Sequence, residues 1–259
     1  MAIQAGETTF YQAQRGIVQD GLVLNLDAGV RDSYDGGSTW RDLKGGNDGT
    51  MINGPLQSKV AGGTASFDGV DEYVQFGEIQ DLDGCTKFSV CAWVNYKRAY
   101  GLGTNWPVQI FHLDNVFQFN LSSFVAKDAY SVGNPATDVT KLSISIRSYN
   151  NGAWTTLDSN RVVASNSWNY LVMTYDASDA IRSYINSQAN TALTSSIPSS
   201  TSSTVWGSSS NASVKSTDGS IYTQYGGEGD IACINIYNRA LTATEVLQNY
   251  NATRHKFGV

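Results

Sequence analysis

The sequence is poor in the residues on which most enzyme and metal chemistry depends. Its 259 residues include two histidines, His112 and His255, and three cysteines, Cys85, Cys91 and Cys233. The cysteines are odd in number and lack metal-type spacing, so we expect free thiols kept reduced in a cytoplasm, with a Cys85 to Cys91 disulfide as the alternative. No serine or cysteine stands in a nucleophile motif. Nucleophilic catalysis is therefore not expected.

Positive charge is also scarce. Charged residues make up 15% of the chain, and the net charge is −6. Between Asp20 and Asp83, twelve acidic residues stand against four basic ones. Nucleic-acid binding needs a cationic surface that displaces counterions, so no nucleic-acid partner is expected.

Long apolar runs are missing as well. No stretch approaches the roughly 20 residues that span a bilayer. Residues 1–7 have neither the basic nor the apolar segment of a secretory signal. We expect no membrane insertion and synthesis in a cytoplasm without secretion.

Short β-branched and apolar segments, separated by polar turns, make up most of what is present. Hydrophobic residues reach 41%, enough for one sizeable core. The predicted strands are residues 22–27, 65–67, 72–76, 88–95, 116–121, 142–147, 154–157, 168–175, 180–186 and 231–237. Residues 30–55 and 96–107 are predicted loops, and Asn150-Asn151-Gly152 predicts a hairpin.

A short helix is predicted to follow the last strand. Thr242 and Glu245 have the spacing of a capping box, in which each satisfies the free backbone N–H of the other. Ala243, Val246, Leu247 and Tyr250 are predicted to form the apolar face that docks this helix onto the sheet.

Five stretches, taken in order, resemble laminin-G-like (concanavalin-A-like) jelly-roll domains. They are residues 21–28 with 40–43, 66–74 (SFDGVDEYV), 168–176 (WNYLVMTYD), 184–186, and the closing 229–246 (GDIACINIYNRALTATEV). The resemblance implies an all-β fold: an antiparallel two-sheet jelly-roll sandwich with one short C-terminal helix. The expected parts are an N-terminal arm at 1–20 and a laminin-G-like domain at 21–259.

Carboxylates give little sign of catalysis. A retaining glycosidase needs two carboxylates about 5 Å apart, and no predicted strand shows the Glu-x-Asp alternation that would supply them. Asp68, Asp71 and Glu72 fall at a turn that the resemblance treats as structural. We therefore expect no enzyme and no catalytic residue.

No cofactor is expected, although structural calcium is left open. Relatives often place an aspartate directly after the isoleucine of the final strand, where this chain has Ala232. Calcium ligands would then come from Asp27, Asp68 or Asp71 with backbone carbonyls. No metal ligand is assigned.

Four aromatic residues are candidates for glycan binding. Sugar C–H faces stack on aromatic rings while hydroxyls pair with amides and carboxylates, which points to Tyr100, Trp106, Tyr149 and Trp154. Anchoring of loops or contact between subunits is the competing interpretation of each.

The function implied by the resemblance is that of a tailed-bacteriophage virion protein: a capsid decoration, tail or fibre component that also allows contact with host-surface glycans. The arm at 1–20 would attach it to capsid or tail subunits, and homo-oligomers are compatible with such folds. The alternative is a free carbohydrate-binding lectin module of bacterial origin. A glycoside hydrolase or lyase is the third hypothesis.

Overall fold

The strands form two antiparallel sheets. The structure, a computed structural model, describes residues 16–77, 79–82, 85–99, 108–113, 117–123, 141–150, 153–159, 161–176, 178–179, 181–190, 212–215 and 227–259. These residues contain seventeen strands and one α-helix. The predicted all-β sandwich with one short C-terminal helix is confirmed.

The first sheet has eight strands within the described residues. They are β1 (Leu22–Asp27), β4 (Leu56–Ser58), β5 (Thr64–Phe67), β7 (Lys87–Ala99), β13 (Trp168–Asp176), β14 (Ile181–Ile185), β15 (Gln188–Ala189) and β17 (Gly227–Tyr237). Their order is β15-β14-β13-β7-β17-β5-β4, and β1 also pairs with β17. Strand β7 therefore lies in the centre of the sheet, as its apolar residues on both faces indicate.

The second sheet has nine strands in the same described part of the chain. They are β2 (Thr39–Trp40), β3 (Gly49–Ile52), β6 (Tyr73–Gln75), β8 (Val108–Leu113), β9 (Phe117–Ser123), β10 (Lys141–Asn150), β11 (Ala153–Asp158), β12 (Val163–Ala164) and β16 (Ala212–Lys215). Their order is β11-β10-β9-β8-β16-β6-β3-β2, with β12 paired to β10. The β10–β11 pairing closes Asn150 onto Ala153, which confirms the predicted hairpin.

The main core lies between the two sheets. It joins Leu24 and Ile234 of the first sheet to Phe119 and Ile144 of the second, all 0% exposed. Trp40 is also fully buried there and anchors its segment to the core. Because alternate residues of each strand enter this core, the intervening positions belong to the opposite face of the sheet.

The outer face of the first sheet is covered by the helix α1 (Ala243–Thr253). Thr242 Oγ1 accepts a hydrogen bond from the N–H of Glu245, and Glu245 Oε2 accepts one from the N–H of Thr242, so the predicted capping box is confirmed. A second apolar cluster, which includes Trp93, Tyr170 and Val246, fills the space beneath the helix. No described helix is long and apolar enough to cross a membrane.

The segment before β1, residues 1–20, is called the leader below. Its described part is held against α1 by Val18, Tyr237 and Asn249, which we call the Val18 clasp. The N–H of Val18 donates to Asn249 Oδ1 at 2.8 Å, and its carbonyl accepts from the Tyr237 hydroxyl at 3.1 Å. Asn249 Nδ2 donates to the same hydroxyl oxygen at 3.0 Å. Residues 1–15 lie outside the described residues, so the arm predicted at 1–20 stays a prediction.

Two details of the predicted elements were wrong. Residues 30–55 are not one loop, because β2 and β3 lie within them and Met51 is buried against the core. Strand β7 continues to Ala99, so the next predicted loop begins later than residue 96. Strand β3 is stabilised by pairing with β6, and the end of β7 by pairing with β17. Local pattern does not reveal such pairing.

The buried face of α1 also differs from the prediction. Leu247 is 45% exposed and Ala243 is exposed, whereas the polar Asn249 is fully buried. The reason is the Val18 clasp, since Asn249 gains hydrogen bonds at that position that an apolar side chain could not make.

Candidate binding face of the second sheet

The second sheet carries polar residues on the face opposite the core. We call this set of alternate positions the outer register. Its members alternate along the strands with the core positions Phe119, Leu121, Ile144 and Ile146, which are 0 to 2% exposed and pair with one another. Its members on the five strands from β11 to β16 are Trp154, Thr156, Asp158, Lys141, Ser143, Ser145, Arg147, Tyr149, Gln118, Asn120, Ser122, Gln109, His112, Ser213 and Lys215.

One row of directly opposite residues crosses eight strands of this sheet, from β11 to β2. We call it the polar row. Its members, each the pairing partner of the next, are Thr156, Arg147, Gln118, His112, Ser213, Gln75, Thr50 and Thr39. At about 4.8 Å per strand, seven spacings give a row roughly 34 Å long. Amide, hydroxyl, guanidinium and imidazole groups can supply both donors and acceptors to a ligand rich in hydroxyls.

Three side chains near the middle of the outer register are buried. Gln118, Asn120 and Ser143 are 9%, 0% and 2% exposed. Asn120 Nδ2 lies 3.5 Å from Gln118 Oε1, and Asn120 Oδ1 has no hydrogen-bond partner in the described part of the chain. A buried acceptor without a partner costs about 1–3 kcal/mol. The middle of the outer register is therefore covered, and its buried side chains contribute to packing.

Two of the four predicted glycan-binding aromatics meet in this sheet. Tyr149 of β10 and Trp154 of β11 are pairing partners, and both belong to the outer register two residues from the polar row. Tyr100 and Trp106 lie outside the described residues. A role of Tyr149 and Trp154 in glycan binding stays a prediction.

Carboxylates are sparse in the outer register. On the described strands of the second sheet, Asp158 is its one acidic residue. Glu72, directly before β6, accepts a hydrogen bond from the N–H of Asp68 at 2.7 Å, and burial raises the pKa of its carboxyl. The outer register thus lacks the carboxylate pair that glycoside hydrolysis requires.

Two of the three aspartates that we considered as calcium ligands have side-chain partners within the protein. Asp27 pairs with Lys256 at 2.7 Å and accepts from the N–H of Gly29. Asp68 Oδ1 accepts from the N–H of Val70. Among the described residues, no group of three or more histidine, cysteine, aspartate or glutamate side chains could hold a metal ion. Calcium binding stays an untested expectation.

The middle of β17 contains the position at which the sequence resemblance places an aspartate. Ala232 occupies that position and is buried beneath α1. Asp230 is 4% exposed, accepts from Ser66 Oγ at 2.6 Å and pairs with Lys97 Nζ at 3.0 Å. Its carboxylate is therefore neutralised by a cation of the protein itself.

Sequence reasoning missed most members of the polar row. Alternation in residues 142–147 does indicate that Ser143, Ser145 and Arg147 occupy positions on the face away from the core. Nothing local indicates that Arg147 is level with Gln118 and His112, because that alignment depends on strand pairing. The usable signal was the alternation of amides with phenylalanines in residues 117–121.

Comparison with known proteins identifies the fold. A laminin G family model, described as the concanavalin A-like lectin/glucanases superfamily, matches residues 68–247. No curated protein matches the sequence.

Several solved structures are similar in fold. A Trypanosoma rangeli sialidase in complex with 2,3-difluorosialic acid has a TM-score of 0.61 and 12% identity; the match covers 91% of this chain and 33% of the sialidase. This chain therefore spans about a third of that enzyme's length. Domain 4 of AbnA, a GH43 extracellular arabinanase from Geobacillus stearothermophilus in complex with arabinotriose, has a TM-score of 0.57 and 16% identity. The match covers 88% of this chain and 98% of that domain. The botulinum neurotoxin type G receptor binding domain has a TM-score of 0.57 and 16% identity. The match covers 89% of this chain and 51% of the toxin domain.

Proposed function

The chain belongs to the concanavalin A-like lectin/glucanases superfamily, and from that premise we propose that it is a non-catalytic glycan-binding protein that uses the outer register of the second sheet. The observation that carries this proposal is the polar row, with the Tyr149 and Trp154 pair beside it. Aromatic faces beside amides and hydroxyls suit the alternating apolar and polar surfaces of a sugar.

Domain 4 of the arabinanase AbnA, which is similar in size to this chain, supports this proposal. The arabinanase domain that this chain covers almost completely is solved in complex with arabinotriose, so a fold of this kind and length accommodates an oligosaccharide. The low identity carries over the fold and not the sugar.

We propose binding without hydrolysis because carboxylates are too few for a glycosidase. Asp158 is the one acidic residue in the outer register of the described strands. Incubation of the protein with each bound glycan should release no reducing ends. Release that is abolished by Asp158→Asn would instead indicate an enzyme.

We propose further that the protein is displayed on a bacteriophage particle, attached to capsid or tail subunits through residues 1–15. The supporting observation is the position of the leader. Residues 16–18 are fixed on α1, over the first sheet, whereas the polar row lies on the far face of the second sheet. Attachment through the leader would leave the polar row facing outward.

The glycan-binding proposal is tested by the aromatic pair. Tyr149→Ala and Trp154→Ala should each weaken binding to a glycan array about 2- to 10-fold, which is the range for the loss of one aromatic contact. Leu247→Ala is the matched control, because Leu247 is exposed on α1 at the opposite side of the molecule. Equal losses in all three variants, or no array binding by the parent protein, would contradict the proposal.

The display proposal has a separate test. Deletion of residues 1–15 should abolish incorporation into particles, measured by electron microscopy and by co-sedimentation, while glycan binding is retained. A shortened protein that still incorporates would leave the alternative, a free lectin module, as the better account.

A further inference from the structure

The C-terminal helices cover only part of the outer face of the first sheet. Helix α1 and the short 3₁₀ helix Arg254–Phe257 that follows it pack on Trp93 of β7. The Phe257 ring also contacts the Trp168 ring, with 4.9 Å between their centroids. The next outward positions, Asn95 on β7 and Ser66 on β5, are partly exposed. A strip of this face therefore remains accessible beside Phe257.

Five residues form a continuous row across this strip, each the pairing partner of the next. We call it the end row: Trp168 of β13, Asn95 of β7, Asp230 of β17, Ser66 of β5 and Leu56 of β4. At about 4.8 Å per strand, the row is roughly 19 Å long. Asp230 is 4% exposed and Leu56 is 71% exposed, while the other three are partly exposed. A ligand that lies along the row would meet four of these side chains.

The buried carboxylate of Asp230 orients two polar neighbours. Ser66 Oγ donates to Asp230 Oδ1 at 2.6 Å, and Lys97 Nζ lies 3.0 Å from Asp230 Oδ2. The Ser66 oxygen can still accept a hydrogen bond, and the Lys97 ammonium has three N–H groups to donate. The Lys97 side chain is 36% exposed. The end row thus has a fixed acceptor and a fixed donor, with no net charge from the pair.

Asn95 lies between Trp168 and Asp230, and its amide is not fully used by the protein. Asn95 Oδ1 has no hydrogen-bond partner in the described part of the chain. An amide has one acceptor and two donors, and the χ2 angle of asparagine is broadly distributed, so the group turns easily towards a ligand. Sugar hydroxyls pair with such an amide while a sugar C–H face packs on an indole. Trp168 and Asn95 supply these two contacts side by side.

We propose that the end row is a second glycan-binding site, which takes a short neutral oligosaccharide. The sugar packs on Trp168, and its hydroxyls pair with Asn95, Ser66 and Lys97. The site goes beyond the proposed function, because it lies on the first sheet and uses no residue of the outer register. A neutral sugar is favoured over an acidic one because Asp230 neutralises Lys97 and the chain has a net charge of −6.

The position of the end row keeps it away from the leader. The leader is held at the Val18 clasp, which includes Tyr237 at the C-terminal end of β17. Seven residue steps of β17 separate Asp230 from Tyr237, which is roughly 23 Å. A particle subunit that holds the leader would therefore contact the opposite end of the sheet. This separation favours a soluble ligand over a particle subunit at the end row.

The test is calorimetric titration of the protein with arabinotriose, cellotriose, maltotriose and chitotriose. At least one of these neutral sugars should bind. Asn95→Ala should weaken its binding about 3- to 10-fold, and Trp168→Leu about 2- to 10-fold, from the loss of one hydrogen-bonding group or one aromatic contact. Asn251→Ala is the matched control, because Asn251 is an exposed asparagine on α1. It should bind as the parent protein does.

Melting temperatures separate loss of the site from loss of the fold. Asn95→Ala removes an amide oxygen that has no partner in the protein, so its melting temperature should not fall. Trp168→Leu loses packing on Phe257 and should melt at a lower temperature. Asn95→Ala is therefore the deciding variant, since its weaker binding cannot be attributed to unfolding.

The outcomes distinguish this site from the proposed one. Tyr149→Ala and Trp154→Ala should leave binding at the end row unchanged, because they alter the other sheet. If they abolish binding of the neutral sugars and Asn95→Ala does not, the inference is overturned and the proposed function is supported. If Asn95→Ala alone weakens binding, the inference holds even where the outer register binds nothing.

Three further results would overturn the inference. One is an equal effect of Asn95→Ala and Asn251→Ala, and another is no binding of any of the four sugars by the parent protein. The third is a protein contact: Leu56→Ser would then prevent incorporation into particles, while Asn95→Ala has no effect on any sugar.

Discussion

Asn249 joins three separate parts of the chain through a single side chain. Its amide oxygen accepts from the leader at Val18, and its amide nitrogen donates to the Tyr237 hydroxyl of β17, while its backbone belongs to α1. The residue is 0% exposed, so water cannot replace these partners without disrupting the packing.

Asn249→Ala should lower the free energy of unfolding by about 1–3 kcal/mol, because the N–H of Val18 and the Tyr237 hydroxyl lose a buried partner. Denaturant titration measures the change. Gln248→Ala is the control: Gln248 donates to Gly16 O at 3.0 Å in an exposed bond, and its loss should cost less than about 0.5 kcal/mol. Equal losses of unfolding free energy in the two variants would show that the Val18 clasp does not stabilise the fold.

The three cysteines differ in accessibility. Cys91 and Cys233 are buried and free, and Cys85 is partly exposed. Burial raises the pKa of the Cys91 thiol to about 12 and that of the Cys233 thiol further still, so neither forms thiolate at neutral pH. A thiol reagent should therefore label one site in the native protein and three after unfolding. Native Cys85→Ser protein should remain unlabelled; labelling of Cys91 or Cys233 before unfolding would contradict the packing beneath α1.

At the scale of elements, the turn from β17 into α1 is held by a charged pair. Arg239 donates to both carboxylate oxygens of Glu245, at 2.7 and 3.0 Å, and also pairs with Asp20 of the leader. The hydrogen bonds from Arg239 are the main reason that the pKa of Glu245 falls to about 2. The carboxylate also completes the capping box of α1.

Stability should depend on pH through this carboxylate. The pKa of Glu245 is lower in the folded protein than in the unfolded chain, so its stabilisation is complete above about pH 4.5 and is lost as the pH falls towards about 2. Glu245→Gln should cost about 1–2 kcal/mol at pH 7, with allowance for partial exposure, and almost nothing near pH 2. Asp179→Asn, at an exposed pair with Arg182, should cost less than about 0.5 kcal/mol at pH 7. A Glu245→Gln cost that stays constant down to pH 2 would disprove the assignment.

Local pattern was sufficient for elements whose alternation or caps are explicit in the sequence. Strand β1 begins and ends at the predicted residues, and the capping box of α1 is where Thr242 and Glu245 place it. It was insufficient for β2, which has two residues and depends on pairing with β3. The polar row could not be predicted either, because each of its members is set by the register of a neighbouring strand.

At the scale of the whole molecule, the leader and the C-terminal helix form a third layer on the first sheet. The Val18 side chain is 7% exposed, and its backbone is bonded at both polar groups. A protein that lacks residues 1–18 should therefore be about 2–4 kcal/mol less stable than one that lacks residues 1–15, from lost apolar burial and unpaired polar groups. Thermal and denaturant unfolding of the two shortened proteins measure the difference. Equal stability would mean that the leader is only loosely held.

Along the strands of the second sheet, positions that enter the core and positions of the outer register alternate one by one. On β10, the core residues Ile144 and Ile146 alternate with Ser145 and Arg147 of the outer register. A combinatorial library confined to the outer register, with the buried Gln118, Asn120 and Ser143 left unchanged, would therefore present new surfaces on an unchanged interior. By the same route, natural variants could switch from one ligand to another through single substitutions, with little loss of folding stability at each step.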